Sequence, residues 1–178
     1  MILIFIVLFC VQGRAADEFD AIKCGADIPE AMVGKHSPNT RVVVTEARHK
    51  NLSLKDLGGT EISEQLFVVS WRICGGEYAE LVNTKNHLVR DVLIVPPHSL
   101  LSPESLFAKC QIAAKEIPDD VIAILDNSHG QKPKGAFEEI MLPVKMAWKI
   151  DERQERFVPM PPQGLSCAGS DFGEDLKQ

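Results

Sequence analysis

The cysteines are the residues in this 178-residue chain whose chemistry depends most on the cellular compartment. Cys74 lies in the stretch SWRICGGEYAEL (70–81), directly before two glycines and two residues after Arg72. A thiol in this position can be a reactive nucleophile, a metal ligand or half of a disulfide. Arg72 could stabilise a thiolate, as a reactive cysteine requires. No C-x-x-C pair occurs, so the sequence does not support a thioredoxin-type redox role.

The N-terminus favours the disulfide. Residues 1–15, MILIFIVLFCVQGRA, contain an apolar run and then a polar exit that ends in a small residue, the plan of a secretory signal peptide. Cleavage after Ala15 places small residues, Gly13 and Ala15, where a signal peptidase needs them. The run is much shorter than the roughly 20 apolar residues that span a bilayer. We therefore expect a secreted or periplasmic protein with no transmembrane segment in its mature chain.

Cleavage removes Cys10 and leaves four cysteines, an even number in a chain bound for an oxidising compartment. Two disulfides are the economical interpretation. Four cysteines allow three pairings, and the sequence does not choose among them. We weakly favour Cys24 with Cys167, which ties the two ends of the chain, and Cys74 with Cys110.

Serine chemistry has two weak candidates. In DNSHG, Asp126, Ser128 and His129 lie side by side, and in PPHS His98 precedes Ser99. The members of a catalytic triad meet through the fold rather than through adjacency, and no G-x-S-x-G occurs. Because Asp, Asn, Ser and Gly are turn-forming residues, DNSHG is better explained as a turn.

Neither a metal nor an organic cofactor is indicated by the motifs. A zinc site needs three or four converging ligands, and the sequence contains no H-x-x-x-H or H-E-x-x-H. The two Gly-Gly pairs lack the residues of a phosphate-binding loop, and we expect both to lie in turns or loops, the first in LGGTE. The five histidines are His36, His49, His87, His98 and His129. Whether they converge depends on the fold.

Charge argues against nucleic acid as a partner. The formal net charge is −6, and loss of Arg14 with the signal peptide lowers it by one, to −7. Proteins that bind nucleic acid normally present a basic face to the phosphates. The basic residues here are scattered among acids. Asn51-Leu52-Ser53 is a glycosylation sequon that has meaning only in a eukaryotic host.

Two strands are predicted by strict alternation. In MLPVKMAWKID, every second residue is apolar from Leu142 through Val144, Met146 and Trp148 to Ile150, which is typical of a half-buried strand. The polar loop DERQE and then RFVPM predict a hairpin whose second strand is an edge or a short one, since Pro159 cannot donate to a ladder.

The opening stretch belongs to the other alternating strand. EQLFVVSWRIC places Phe67, Val69, Trp71 and Ile73 on one face, and its mixed second face favours a central position. Gly75-Gly76 is then a two-residue hairpin turn, and EYAELV returns as a strand, with a helix as the alternative.

Further strands are predicted in TRVVVTEAR and HLVRDVLIV, and VIAIL (121–125) is predicted to be a short buried strand. SPESLFAKCQIAAKEIPDD predicts a helix near 103–117, because Ser102 can cap it, Pro103 suits its first position and Pro118 ends it. An extended conformation of CQIAAKEI that turns at PDD is the alternative.

These elements predict a β-rich α+β fold: a mostly antiparallel sheet of about six to eight strands, as a sandwich or open barrel, with one short helix and two disulfides. We expect a signal peptide over 1–15, a single globular domain over 16–167 and a flexible tail over 168–178.

The function that fits is a non-catalytic exported module that binds a protein, a glycan or a small ligand. The candidate binding surface consists of Arg72, Glu77, Tyr78, His98 and His129. Two alternatives remain open: a small extracytoplasmic hydrolase with a His/Ser/Asp site assembled from loops, and a structural envelope-associated protein.

Overall fold

The computed structural model describes residues 18–37, 47–97, 109–118, 120–126, 128 and 140–169, which form two antiparallel sheets. The helical elements are α1 (Ile28–Met32) and two 3-10 helices, Glu18–Ala21 and Ala47–Leu52. The first sheet contains β1 (Lys55–Ser63), β2 (Leu66–Ile73), β3 (Gly76–Asn83) and β4 (Val89–Val95). The second contains β5 (Cys110–Ile112), β6 (Lys115–Glu116), β7 (Val121–Leu125), β8 (Ile140–Asp151), β9 (Arg156–Met160) and β10 (Leu165–Gly169).

The predicted signal peptide, most of TRVVVTEAR and residues 170–178 lie outside the described residues. β10 continues to Gly169, two residues past the expected end of the domain. Among the described residues, no helix is long and apolar enough to cross a membrane. The β-rich fold class with two antiparallel sheets is confirmed.

The first sheet is a meander in the order β1-β2-β3-β4. β2 is central, as predicted, and EYAELV returns as β3. The face of β2 with Val69, Trp71 and Ile73 packs against the N-terminal segment (18–37). There the Phe19 ring meets the Trp71 ring edge-on, with centroids 4.9 Å apart. The opposite face packs on the second sheet. Both faces of β2 are therefore largely buried, which agrees with the central position predicted for EQLFVVSWRIC.

α1 is short and depends on its cap and its packing. The Asp27 side chain caps it by accepting a hydrogen bond from Glu30 N at 3.0 Å. Ile28 and Met32, four residues apart, are both buried against the first sheet. A five-residue helix is not stable alone, so this apolar contact holds it in place.

The two edges of the first sheet differ. At the β4 edge, Gly34 N donates to Val89 O at 2.8 Å and Val89 N donates to Lys35 O at 2.9 Å. At the same edge Phe157 N, from β9, donates to Asp91 Oδ2 at 2.7 Å. The β4 edge is therefore covered. β1 has no strand partner on its outer side within the described ranges.

The second sheet has the order β6-β5-β10-β8-β7, and β9 pairs with the C-terminal half of β8. The predicted hairpin of MLPVKMAWKID with RFVPM is confirmed, and Pro159 of β9 lies opposite Trp148 of β8. β7 is buried along its whole length. Ile122 and Ile124 face the first sheet, whereas Val121, Ala123 and Leu125 join a separate cluster around Cys110 and Cys167.

The expected alternation of β8 is wrong at Met146. A register shift opposite Ile124 and Leu125 inserts a bulge between Val144 and Met146. A bulge adds a residue, so the even-numbered positions of β8 face one side before the bulge and the other side after it. Val144 therefore packs in the cluster around the second disulfide, Trp148 packs between the sheets, and Met146 is 43% exposed.

The helix expected near 103–117 is wrong over its C-terminal half. Residues 110–116 form the β5–β6 hairpin, with Ala113 and Ala114 in its turn at φ 50° and 61°. Cys110 is paired with Cys167 of β10 by the ladder, and this pairing overrides the helical spacing of the apolar residues. The extended alternative is the one observed. Residues 101–108 lie outside the described residues, and the one α-helix in the described part is α1.

Both expected disulfides are present, but the favoured pairing is wrong. Cys24 bonds to Cys74 and Cys110 bonds to Cys167, with Cα–Cα distances of 5.5 and 4.1 Å. Cys24 lies on the N-terminal segment that packs on the first sheet, next to the end of β2. Cys110 and Cys167 face each other across two strands of the second sheet. Each disulfide therefore joins elements of one layer.

Polar contacts join the two sheets at the β8–β9 turn. Glu155, at φ 48° in that turn, accepts a hydrogen bond from Asn83 Nδ2 at 2.9 Å and pairs with Arg90. Asn83 ends β3 and Arg90 lies in β4. One turn residue of the second sheet thus holds two strands of the first.

Candidate binding site

The hairpin turn in SWRICGGEYAEL consists of Cys74 and Gly75, one residue earlier than predicted. Ile73 and Gly76 form the last cross-strand pair, and the two turn residues have φ of 52° and 85°. Two positive φ values in a row are typical of the type I′ turn that suits a hairpin. Cys74 N also donates to Leu52 O at 2.7 Å. Cys74 is therefore a structural disulfide partner that fastens this turn to the N-terminal segment.

The structure brings two of the expected surface residues together. Arg72 and Glu77 are directly opposite in β2 and β3 and form an ion pair, with side chains 41% and 20% exposed. Such exposed pairs contribute at most about 1 kcal/mol to stability.

Tyr78 lies on the opposite face of β3 from Glu77. Tyr78 lies opposite Trp71 and packs against the buried cluster that contains Trp71. Its ring also lies over Gly76. A Cβ at Gly76 would lie 2.9 Å from Tyr78 Oη, so a side chain there would require the Tyr78 ring to shift. His98 and His129 lie outside the described residues.

DNSHG begins with a turn, as expected. Asp126 Oδ1 accepts a hydrogen bond from Ser128 N at 3.0 Å and lies 3.2 Å from Lys145 Nζ. The hydrogen bond from Ser128 N, followed by the contact with Lys145, holds the pKa of Asp126 below its usual range. The carboxylate of Asp126 is thus used to order the turn. The fourth residue of the motif, His129, lies outside the described residues.

A groove of about 310 Å³ lies along β1 and β2, at the edge of the first sheet that carries no described strand. All nine residues of β1 are exposed or half-buried. Its lining consists of Asp56, Gly58, Gly59, Thr60, Glu61, Phe67, Val68 and Val69. We call this feature the β1 groove. Its position next to a sheet edge that has no strand partner among the described residues makes it the candidate binding site.

Two glycines shape the β1 groove. Gly58 has a φ of +99° at a bulge, where its N–H donates to Asp56 Oδ1 at 2.8 Å. Gly59 pairs with Val69, and a Cβ on it would lie 2.5 Å from Val68 O. The missing side chain therefore lets β1 approach β2 closely and leaves the groove uncovered. The expectation that LGGTE is a turn or loop is wrong, because the pair lies inside a strand.

The lining of the β1 groove combines apolar and acidic side chains. Phe67 lies directly opposite Glu61, Val69 lies opposite Gly59, and Asp56 lies further along β1. A ligand that complements this lining carries an apolar group beside a positive charge. Sequence reasoning missed the site because the Gly-Gly pair of LGGTE was compared only with phosphate-binding loops and assigned to a turn or loop. The available signal was the cluster of small and charged residues just before a central strand.

Among the described residues, no group of three or more His, Cys, Asp or Glu side chains is arranged to hold a metal ion. Two histidines do converge. The ring centroids of His36 and His87 lie 5.8 Å apart, although the residues are far apart in the chain. His49, in contrast, is buried beside Phe19.

Comparison with known proteins returns no likeness: no family model matches the chain, and no curated protein or solved structure matches it either.

Proposed function

We propose that this chain is an exported, disulfide-bonded β-sandwich module that binds a protein partner through the β1 groove and does not catalyse a reaction. The observation that carries the proposal is the open groove beside an edge strand that has no described neighbour. An open edge offers backbone N–H and C=O groups to an added strand, and neighbouring pockets select its side chains.

Export is supported by the signal-like N-terminus and by the disulfides. Both disulfides lie within one chain and stabilise ordinary structural elements, a turn and a strand pair. Structural disulfides persist in oxidising compartments and are rare in the cytosol. The proposed location is therefore extracytoplasmic, in the periplasm or secreted.

The lining of the β1 groove suggests what the partner presents. Asp56 and Glu61 favour a cationic group, and Phe67 and Val69 favour an apolar one. The mature chain, at −7, attracts a basic partner during diffusional encounter. The proposed ligand is an extended polypeptide segment that carries Lys or Arg next to an aliphatic or aromatic residue.

Selection from a displayed library of random linear peptides on the oxidised mature protein tests this proposal. We expect the selected peptides to be enriched in Lys or Arg beside an apolar residue. Glu61→Lys should weaken their binding by about tenfold or more, because it places like charges in contact. Calorimetry at two salt concentrations measures the loss and its electrostatic part.

Glu64→Lys is the matched control, since Glu64 is an exposed acid in the adjacent β1–β2 turn and does not line the groove. It makes the same change in net charge and should alter affinity by no more than about twofold. Equal losses in the two variants, or no peptide enriched over the reduced protein, would contradict the proposal.

A further inference from the structure

His36 and His87 are held near each other by backbone hydrogen bonds on both sides. Ser37 N donates to His87 O at 2.7 Å, and Val89 N donates to Lys35 O at 2.9 Å. His36 itself forms an isolated antiparallel bridge with Leu88. The two backbones are therefore fixed relative to each other, and only the side-chain torsions remain to be set.

The conformation of His87 allows the two imidazoles to meet. His36 lies opposite Leu88, the residue that follows His87, and successive residues of an extended strand point to opposite faces. His87 has a φ of 54°, so this alternation does not turn its side chain away from His36. Its ring lies 5.8 Å from the ring of His36 and 6.4 Å, edge-on, from Phe67. Both histidines are exposed, so a solvated ion can reach them.

The separation of the two rings suits a shared metal ion. A nitrogen ligand at about 2.0–2.1 Å places the metal about 3.2 Å from the imidazole centroid, so two tetrahedral ligands have centroids about 5.2 Å apart. The observed 5.8 Å differs from this by a small rotation of two exposed side chains.

We propose that His36 and His87 form a two-histidine site for a divalent transition metal such as Zn²⁺, Ni²⁺ or Cu²⁺, with water completing the coordination. Imidazole suits these ions, and affinity should follow the general order in which Cu²⁺ exceeds Ni²⁺ and Zn²⁺. The site lies at the covered β4 edge, where the His87 ring neighbours Phe67 of the β1 groove. The proposal uses only the two imidazoles, so it does not depend on the proposed function. An extracytoplasmic location would expose the site to environmental metal.

Calorimetric titration of the untagged, oxidised mature protein with Zn²⁺ tests the site. We expect one ion per chain. His36→Asn and His87→Asn should each weaken binding by about tenfold or more, because losing one of two linked ligands removes the chelate advantage. Asparagine is chosen because it tolerates the positive φ at position 87. Circular dichroism of each variant verifies that the fold is retained.

Lys35→Asn and Lys85→Asn serve as the matched controls, because each places the same side chain at an exposed position near the site without removing an imidazole. Zn²⁺ affinity should change by no more than about twofold in either. Substoichiometric Cu²⁺ should also broaden the imidazole NMR resonances of His36 and His87 before those of the other histidines. Failure to bind Zn²⁺, equal losses in the control variants, or broadening centred on another histidine would overturn the proposal.

Discussion

Several non-glycine residues in this chain adopt backbone conformations that are uncommon for their residue types. Cys74, Ala113, Ala114 and Glu155 all have positive φ, a region in which non-glycine residues are uncommon. Cys74 precedes a glycine and is tied by a disulfide, so a turn near it was predictable to within one residue. Ala113-Ala114 resembles a helix in sequence, and no local signal marks it as a hairpin turn.

At the residue scale, we predict that Ala114→Gly stabilises the protein. Ala114 has a φ of 61°, and relief of that conformation outweighs the extra entropy of glycine in the unfolded chain. The expected net gain is about 0.5–1 kcal/mol in the free energy of unfolding, measured by denaturant titration. Ala31→Gly in α1 is the control and should lose about 1 kcal/mol. A loss in both variants would show that the β5–β6 turn is not formed as described.

At the scale of elements, alternation predicted strands correctly. Helical spacing predicted a helix over 110–116, where the structure has a hairpin. β2 and β8 were predicted from alternation, β4 and β7 were predicted from stretches rich in Val, Ile and Leu, and each is a strand. The bulge in β8 was not predictable, because it is a shift in the pairing of β8 with β7, which the pattern of β8 alone does not contain. The β5–β6 hairpin was missed because a distant strand, β10, supplies the partner that makes it extended. The β1 groove was missed for a related reason: strand order decides that the outer side of β1 has no described strand partner.

The β8–β9 turn gives a prediction at this scale. Glu155→Ala removes the contacts to Asn83 and Arg90 that hold the turn on the first sheet. Because the Arg90 side chain is 41% exposed, the ion pair contributes little, and most of the loss comes from the hydrogen bond. We expect a loss of about 1–2 kcal/mol in the free energy of unfolding.

Glu152→Ala provides the comparison, since Glu152 is an exposed acid in the same turn. Its effect should stay within about 0.5 kcal/mol. Thermal or denaturant unfolding of both variants measures the difference. Similar values for the two would mean that the turn does not join the sheets.

For the whole molecule, the sequence established the class of fold and the number of disulfides but not how they connect. Disulfide pairing depends on which elements lie together in the fold. The expected link between the chain ends, Cys24 with Cys167, is not formed, and each layer contains one disulfide instead. Each closes a loop of 50 or more residues, so each should stabilise the fold by about 4 kcal/mol in the chain-entropy model. A chain with a sandwich core and two such disulfides is suited to an oxidising compartment.

The central claim, that this is an exported disulfide-bonded module, is tested most directly by expressing the full chain and mapping the peptides of the extracytoplasmic product without reduction. We expect a mature N-terminus at Ala16 and two linked peptide pairs, Cys24 with Cys74 and Cys110 with Cys167. An unprocessed chain retained in the cytoplasm with four free thiols would contradict it.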